Sequence, residues 1–247
     1  LALTMGDPAG IGPELAVRVA ADPELAGMCR MVLFGCPDII RKAAERFTPG
    51  HCPEIEAVGY LPFSEVEIGR ESALCGMAAY DAVVSAVRTA LSGQLDAVVT
   101  APMNKAAVNM AGVDFSGHTE LIASLCDCGS YAMMQSSGDL RVAFVTTHIP
   151  LSEVSGAVTA SRIREVAILL RDAIQSEDIR EPRLAAAALN PHAGENGFMG
   201  HEDEEVVKPA LSGLRAEGMN IDGPFPPDVL FIERVRRRYD GIVSMYH

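Results

Sequence analysis

Three histidines each follow an apolar stretch of the sequence, close to the point where the stretch ends. They are His148, His192 and His247, and the stretches before them are residues 140–145, 184–189 and 242–246. A single histidine at the end of a strand is more often a hydrogen-bonded structural residue than a ligand. Three histidines at equivalent positions favour a metal site, because metal sites with an open coordination position are often built from imidazoles that follow several different strands. Imidazole suits several divalent metals, so the ligands alone do not identify the ion.

Three further segments place polar or cationic side chains at the start of a predicted helix. Residues 4–14 form a glycine turn that could hold an anion, but the turn lacks the spacing of the dinucleotide and phosphate loops. A tight strand-to-helix connection explains it equally well. Lys105 could meet a phosphate or carboxylate, or it could be a solvated lysine. His118 and Thr119 could grip a phosphate or hydroxyl, or they could serve only to cap the helix.

Strand-like and helix-like patterns alternate along the chain, and they must position these residues. Apolar runs predict strands at residues 1–5, 31–34, near 55, 97–100, 131–134, 140–147, 184–189 and 242–246. Helical periodicity and helix-start signals predict helices at residues 13–21, 37–47, 72–91, 104–110, 117–125, 160–174 and 202–216. This alternation indicates an α/β fold with a mostly parallel sheet. In such folds ligands bind at the carboxyl ends of strands, where the three histidines are expected.

Composition narrows the class of protein. The net charge of −13 argues against nonspecific nucleic-acid binding, which depends on Lys and Arg. No apolar run predicts a membrane span, and the N-terminus resembles no secretory leader. Six cysteines without a Cys-x-x-Cys pair then indicate reduced thiols in the cytoplasm.

No linker or repeat divides the chain, so residues 1–247 are treated as one α/β chain whose two lobes the sequence does not delimit.

Seven motifs lie in a fixed order along the chain. They are residues 4–14, 100–105, 117–120, 147–151, 189–197, 223–228 and 245–247. Together they resemble the PdxA family, whose members are 4-hydroxythreonine-4-phosphate dehydrogenases of pyridoxal phosphate biosynthesis. The resemblance spans essentially the whole chain.

The resemblance implies a fold, a reaction and a set of site residues. The fold would be of the isocitrate/isopropylmalate dehydrogenase type, a mostly parallel sheet with two lobes around a cleft. His148, His192 and His247 would bind a divalent metal (Zn, Mg, Co or Mn) at the interface of a homodimer. His118 and Thr119 would contact a small phosphorylated hydroxy-acid substrate, and Lys105 is a candidate catalytic residue. NAD or NADP would accept the hydride, although no residue is assigned to its binding. Oxidation of the secondary hydroxyl would be followed by decarboxylation of the β-keto acid.

Two departures from the family pattern bear on activity. Val229 stands where the family usually has Thr. The sequence also stops at His247, whereas family members continue with further substrate-binding residues and much of the dinucleotide site. Two alternatives therefore accompany the dehydrogenase interpretation. One is a paralogue acting on D-threonate or D-erythronate 4-phosphate or on an aromatic cis-dihydrodiol. The other is a non-catalytic metal-binding α/β protein that lacks the cofactor half.

Overall fold

The computed structural model describes residues 1–247, and the chain divides into two compact units. Unit 1 comprises Leu1–Gly129 and unit 2 comprises Ser130–His247. Each unit contains its own sheet and its own hydrophobic core.

Unit 1 is built on a four-stranded parallel sheet in the order β3-β2-β1-β4. Its strands are β1 (Ala2–Thr4), β2 (Val32–Gly35), β3 (Ile55–Ala57) and β4 (Val98–Val99). Its helices are α1 (Gly12–Ala20), α2 (Pro23–Met28), α3 (Pro37–Phe47), α4 (Ala73–Leu91), α5 (Lys105–Met110) and α6 (His118–Leu125). Proline lies in the first turn of α1, α2 and α3, where its missing N–H costs no helical hydrogen bond.

Helix α4 has the length and composition of a membrane span, with 19 residues and a mean hydropathy of 1.2. Length and composition alone are weak evidence for a membrane span, because the core helix of a globular protein passes the same test. The alanine-rich stretch between Ala79 and Val87 nevertheless has its apolar face buried. It packs on β1, β2 and α5 within unit 1, as the core helix of a globular domain does.

Unit 2 is built on a five-stranded sheet in the order β5-β6-β9-β7-β8, and only β5 runs antiparallel to its neighbour. Its strands are β5 (Met134–Ser137), β6 (Leu140–Thr146), β7 (Leu184–Ala187), β8 (Ile221–Phe225) and β9 (Gly241–Tyr246). Its helices are α7 (Leu151–Ala157), α8 (Ala160–Gln175), α9 (Lys208–Ala216), α10 (Pro227–Leu230) and α11 (Glu233–Arg236).

Both faces of the sheet in unit 2 are covered, because alternate side chains of a strand point to opposite faces. On β6, Ala143 and Val145 pack into the core beneath α8 and α9, which includes Leu170 and Leu211. Val142 and Phe144 of the same strand, with Ile242 of β9, join a smaller core on the other face. Two-sided burial explains why the strands read as continuous apolar runs, and it confirms the predicted α/β fold with mostly parallel sheets.

Several elements differ from the sequence-based expectation. The strand expected at residues 131–134 lies at Met134–Ser137, where the side chains are exposed and all but Met134 are polar. Helix α7 and strand β8 were not predicted. Strand β8 gives no continuous apolar run because Gly223 and Pro224 interrupt it. The helix expected from residue 202 begins instead with a π-helical turn, Asp203–Val207, and becomes α-helical at Lys208.

Candidate active site

The three candidate metal ligands of unit 2 follow three adjacent parallel strands. Strand β9 is central, with β6 on one side and β7 on the other. His148 lies two residues beyond β6, His247 immediately follows β9, and His192 lies five residues beyond β7. All three imidazoles therefore emerge at the carboxyl edge of one sheet, and all three residues are exposed. This is the edge at which α/β proteins bind their ligands.

His148 and His247 are neighbours at this edge. Their ring centroids are 5.6 Å apart and the rings are perpendicular. A cavity of about 150 Å³ lies against both histidines and is also lined by Thr147 and Leu151. The strand ends beneath them are tied together by the buried Thr146, whose Oγ1 donates to the carbonyl of Met245 at 2.9 Å. This hydrogen bond fixes the ends of β6 and β9, the strands that His148 and His247 follow.

A second contact orients the ring of His247. Its Nε2 lies 3.2 Å from the side-chain nitrogen of Gln135 on β5, and the ring packs edge-on against Phe144 at 5.1 Å between centroids. An amide nitrogen only donates, so in this arrangement Nε2 of His247 is the acceptor and carries a lone pair. The amide of Gln135 engages this lone pair, so a metal ion at Nε2 of His247 would have to displace that amide.

His192 lies on a turn of unusual backbone conformation. The φ angles of residues 192–196 all lie between 44° and 76°, although Gly194 is the only glycine among them. Left-handed backbone costs an L-residue roughly 1 kcal/mol or more, and such strain concentrates at functional sites. His148 is also left-handed, with φ of 52°. The structure does not bring His192 together with the other two histidines, because no three His, Cys, Asp or Glu side chains converge as a metal-binding group.

A network behind His192 escaped the sequence-based interpretation. Asp203 is fully buried and accepts hydrogen bonds from the backbone N–H groups of Leu189 and Asn190, at 2.8 and 2.9 Å. Glu202 accepts from the Asn190 side chain at 2.9 Å and from Ser155 at 2.6 Å. The sequence predicted only that a helix begins at residue 202. Asp203 nevertheless shares the buried stripe of Val207, Ala210, Leu211 and Leu214, and this spacing was a usable signal.

In unit 1, His118 and Thr119 form the first turn of α6. His118 packs edge-on against Phe115, with 5.8 Å between ring centroids, and its Nε2 is buried without a hydrogen-bond partner. Burial lowers the pKa of this imidazole, so it is held in the neutral form. An unsatisfied buried nitrogen costs about 1–3 kcal/mol and points to a ligand that would satisfy it.

The glycine turn of unit 1 is explained by close backbone packing. A Cβ on Gly6 would lie 2.5 Å from the carbonyl oxygen of Pro102, and one on Gly12 would lie 2.4 Å from that of Met5. Asp7 is buried in this turn and accepts from the N–H of Ala9 at 2.9 Å. Burial raises the pKa of Asp7, the Ala9 hydrogen bond opposes the rise, and the charge of Glu71 adds to it. The strand-to-helix connection therefore accounts for both glycines without an anion.

Lys105 is the first residue of α5, and its side chain is exposed. The preceding Asn104 caps the helix by accepting from the N–H of Ala107 at 3.1 Å, and it also contacts Glu71 at 3.3 Å. The backbone at Lys105 is therefore fixed while its ammonium group is accessible to an anionic ligand.

The comparisons with known proteins decide the family. Residues 27–247 match the model of the family described as pyridoxal phosphate biosynthetic protein PdxA. This match covers most of the sequence. The chain belongs to the PdxA family.

Relatives with two different names resemble the chain to a similar degree. A 4-hydroxythreonine-4-phosphate dehydrogenase of Marinobacter nauticus is 39% identical, and the alignment covers 100% of this chain and 77% of the relative. A D-threonate 4-phosphate dehydrogenase of Salmonella typhimurium is 37% identical, with 100% of this chain and 80% of the relative covered. Overall identity therefore does not separate these two kinds of relative.

The fold agrees with solved PdxA structures. The crystal structure of 4-hydroxythreonine-4-phosphate dehydrogenase from Klebsiella pneumoniae superposes with a TM-score of 0.86 at 35% identity, covering 100% of this chain and 80% of that one. The family expected from the seven motifs is confirmed. The similarity to dehydrogenases across the whole chain also confirms the expectation of an oxidoreductase.

Proposed function

We propose that this PdxA-family protein oxidises the secondary hydroxyl of 4-phosphohydroxy-L-threonine with NAD or NADP. The hydroxyl loses its proton, and the hydride on the same carbon passes to the nicotinamide. The resulting β-keto acid then loses carbon dioxide, and protonation of the enolate gives 3-amino-2-oxopropyl phosphate. This reaction belongs to the biosynthesis of pyridoxal phosphate.

The observation that carries the proposal is the placement of His148, His192 and His247 after three adjacent parallel strands. Three accessible imidazoles at the ligand-binding edge of a sheet have no structural explanation in the core of unit 2. With the family match over residues 27–247, this placement favours a site that handles a substrate oxygen.

The donor set suits a divalent metal. His148 and His247 are adjacent, and imidazole binds Zn²⁺ and Co²⁺ well, whereas Mn²⁺ depends more on oxygen ligands. Mg²⁺ prefers oxygen ligands and would rely more on the substrate. His148, His192 and His247 would hold the ion in a site shared between two subunits, since the three side chains do not converge within one chain. When bound, the ion would supply Lewis acidity that lowers the pKa of the substrate hydroxyl and polarises the ketone.

The family resemblance also implies substrate contacts for His118 and Thr119, and it makes Lys105 a candidate catalytic residue. The unsatisfied Nε2 of neutral His118 can donate to or accept from a substrate oxygen, and the Thr119 hydroxyl lies beside it at the start of α6. The accessible ammonium of Lys105 would attract the phosphate or carboxylate of the substrate and is our candidate catalytic residue. No residue of the chain is assigned to the dinucleotide.

We also infer three broader properties from the family resemblance. The fold would be of the isocitrate/isopropylmalate dehydrogenase type. The protein would form a homodimer with the metal site at the subunit interface. It would act in the cytoplasm.

The substrate is tested by following reduction of NAD⁺ and NADP⁺ with Zn²⁺ or Mg²⁺ present. We expect turnover with 4-phosphohydroxy-L-threonine and a lower kcat/KM with D-threonate 4-phosphate, which carries a hydroxyl in place of the ammonium group. The opposite preference would group the protein with the D-threonate 4-phosphate dehydrogenase, to which it is 37% identical. Turnover of an aromatic cis-dihydrodiol alone would rule out both phosphorylated substrates.

The metal site is tested by His148→Ala. We expect zinc affinity to fall by more than the roughly 10- to 100-fold that loss of a supporting residue costs, because a direct ligand is lost. Elemental analysis measures the zinc content, and titration against a chromophoric chelator measures the zinc affinity. His51→Ala removes an exposed histidine of unit 1 and should leave zinc affinity unchanged. Unchanged zinc content in His148→Ala would refute the ligand assignment.

A non-catalytic metal-binding protein is the alternative of another class. This alternative predicts that the protein binds zinc but turns over neither phosphorylated substrate with either dinucleotide. Zinc binding without turnover would therefore support that alternative and refute the dehydrogenase proposal.

A further inference from the structure

Asp203 is a fully buried carboxylate in unit 2 without an ionic partner. Its two oxygens accept from two successive backbone N–H groups, those of Leu189 and Asn190, at 2.8 and 2.9 Å. A buried charge is costly unless hydrogen bonds satisfy it, and two N–H donors aimed at a carboxylate are the strong, charge-assisted kind. The carboxylate thus fixes the backbone immediately after β7.

The segment that Asp203 holds leads directly into the left-handed turn that carries His192. Residues 192–196 have φ between 44° and 76°, a conformation that persists only where the surroundings enforce it. At the centre of the turn, Gly194 is buried, and a Cβ there would lie 2.9 Å from the carbonyl oxygen of Gly200 and 3.7 Å from the Cβ of Asp203. Asp203 therefore holds the base of the turn and also lies against its centre.

Glu202 also anchors the segment that follows β7. One of its carboxylate oxygens accepts from the Asn190 side chain at 2.9 Å, and the other accepts from Ser155 of α7 at 2.6 Å. Asp203 begins a π-helical turn, Asp203–Val207, of the kind that occurs mostly at functional sites. The side chains of both acids hydrogen-bond to Asn190, in the segment after β7, with Asp203 buried and Glu202 partly exposed.

We propose that Asp203, supported by Glu202, is a positioning residue that holds the strained turn and so sets the place of His192, which would complete the ligand set of a metal site shared between subunits. This inference rests on the proposed metal site and assigns it a support that touches neither metal nor substrate. Loss of the carboxylate releases the N–H groups of Leu189 and Asn190, the turn relaxes from its left-handed conformation, and His192 moves away from its position. Supporting residues of this kind typically contribute 10- to 100-fold to metal affinity.

The test is Asp203→Asn in the purified protein, with zinc as the probe. Asparagine keeps the size of the side chain but has only one oxygen to accept from two N–H groups. We expect zinc affinity to fall 10- to 100-fold by chelator competition. In metal-free protein we expect faster hydrogen exchange in the peptide that spans residues 188–198. Circular dichroism establishes that the variant remains folded at the temperature of both measurements.

Two control variants separate positioning from charge and from general stability. Glu205→Gln removes an exposed acid of the same π-turn and should change neither zinc affinity nor exchange at residues 188–198. Val207→Ala removes buried apolar volume from the same turn, so it should lower the melting temperature without weakening zinc binding. A fall in zinc affinity in Val207→Ala as large as that in Asp203→Asn would overturn the positioning role.

The outcomes also distinguish this inference from the proposed function. If His192→Ala weakens zinc binding while Asp203→Asn leaves zinc affinity and hydrogen exchange unchanged, only the role of Asp203 is refuted. If the wild-type protein binds no zinc, both the metal site and the role of Asp203 in it are refuted, whatever the exchange result.

Discussion

At the scale of single residues, His118 and Asp203 show opposite ways of burying a polar group. Asp203 has both carboxylate oxygens satisfied by backbone N–H groups, so it stabilises the segment it contacts. His118 has a buried Nε2 with no partner, so it costs stability until a ligand satisfies it. This contrast supports a structural role for the buried acid and a ligand-binding role for the buried imidazole.

The neutral state of His118 makes a prediction about pH. Because burial lowers its pKa, the unfolded chain binds the proton first as pH falls, and the folded state loses stability below the unfolded value of about 6.5. The loss is at most about 1.4 kcal/mol per pH unit, and it vanishes above pH 7. His118→Gln should therefore flatten the fall in unfolding free energy between pH 7.5 and 5, measured by urea denaturation.

The matched control for this experiment is His51→Gln, which removes an exposed histidine from the same unit. It should leave the pH dependence of the unfolding free energy unchanged. An equally steep fall in His118→Gln and in the wild-type protein would show that the buried imidazole does not govern acid sensitivity.

At the scale of elements, the sequence predicted what periodicity encodes and missed what the backbone does between elements. Strands β6, β7 and β9 were located because two-sided burial gives unbroken apolar runs, and this placed the three histidines at one edge. The left-handed turn at His192 was missed because four of its five residues are not glycine. No local propensity encodes that conformation, which the buried Asp203 and the surrounding backbone impose.

At the end of α6, one residue type is unfavourable for the backbone conformation that it adopts. The N–H of Cys128 donates to the carbonyl of Ala123 and that of Asp127 to Ser124, which is the Schellman pattern of a helix C-terminus. Asp127 then has φ of 49°, in the left-handed region that glycine adopts without steric cost. Asp127→Gly should therefore raise the unfolding free energy by about 1 kcal/mol. Urea denaturation at neutral pH measures the change.

The control for this substitution is Asp114→Gly in the exposed loop before α6, where φ is not positive. There glycine adds freedom to the unfolded chain without relieving strain, so stability should stay the same or fall slightly. A loss of stability in Asp127→Gly as well would show that the aspartate side chain contributes more than its backbone strain costs.

At the scale of the whole molecule, two separate cores mean that stability and metal binding can be changed independently. Leu33 is completely buried in the core of unit 1, whereas the three histidines, Asp203 and Glu202 all belong to unit 2. Leu33→Ala should lower the unfolding free energy by about 2 to 5 kcal/mol, because it leaves a cavity beneath the sheet of unit 1. Zinc affinity of the folded protein should stay within twofold of the wild-type value, since no ligand or supporting residue is disturbed. Urea denaturation and chelator competition on the same preparation measure both quantities. A drop in zinc affinity comparable to that expected for Asp203→Asn would show that the ligands depend on unit 1, and the metal site could then no longer be assigned to the sheet edge of unit 2 alone.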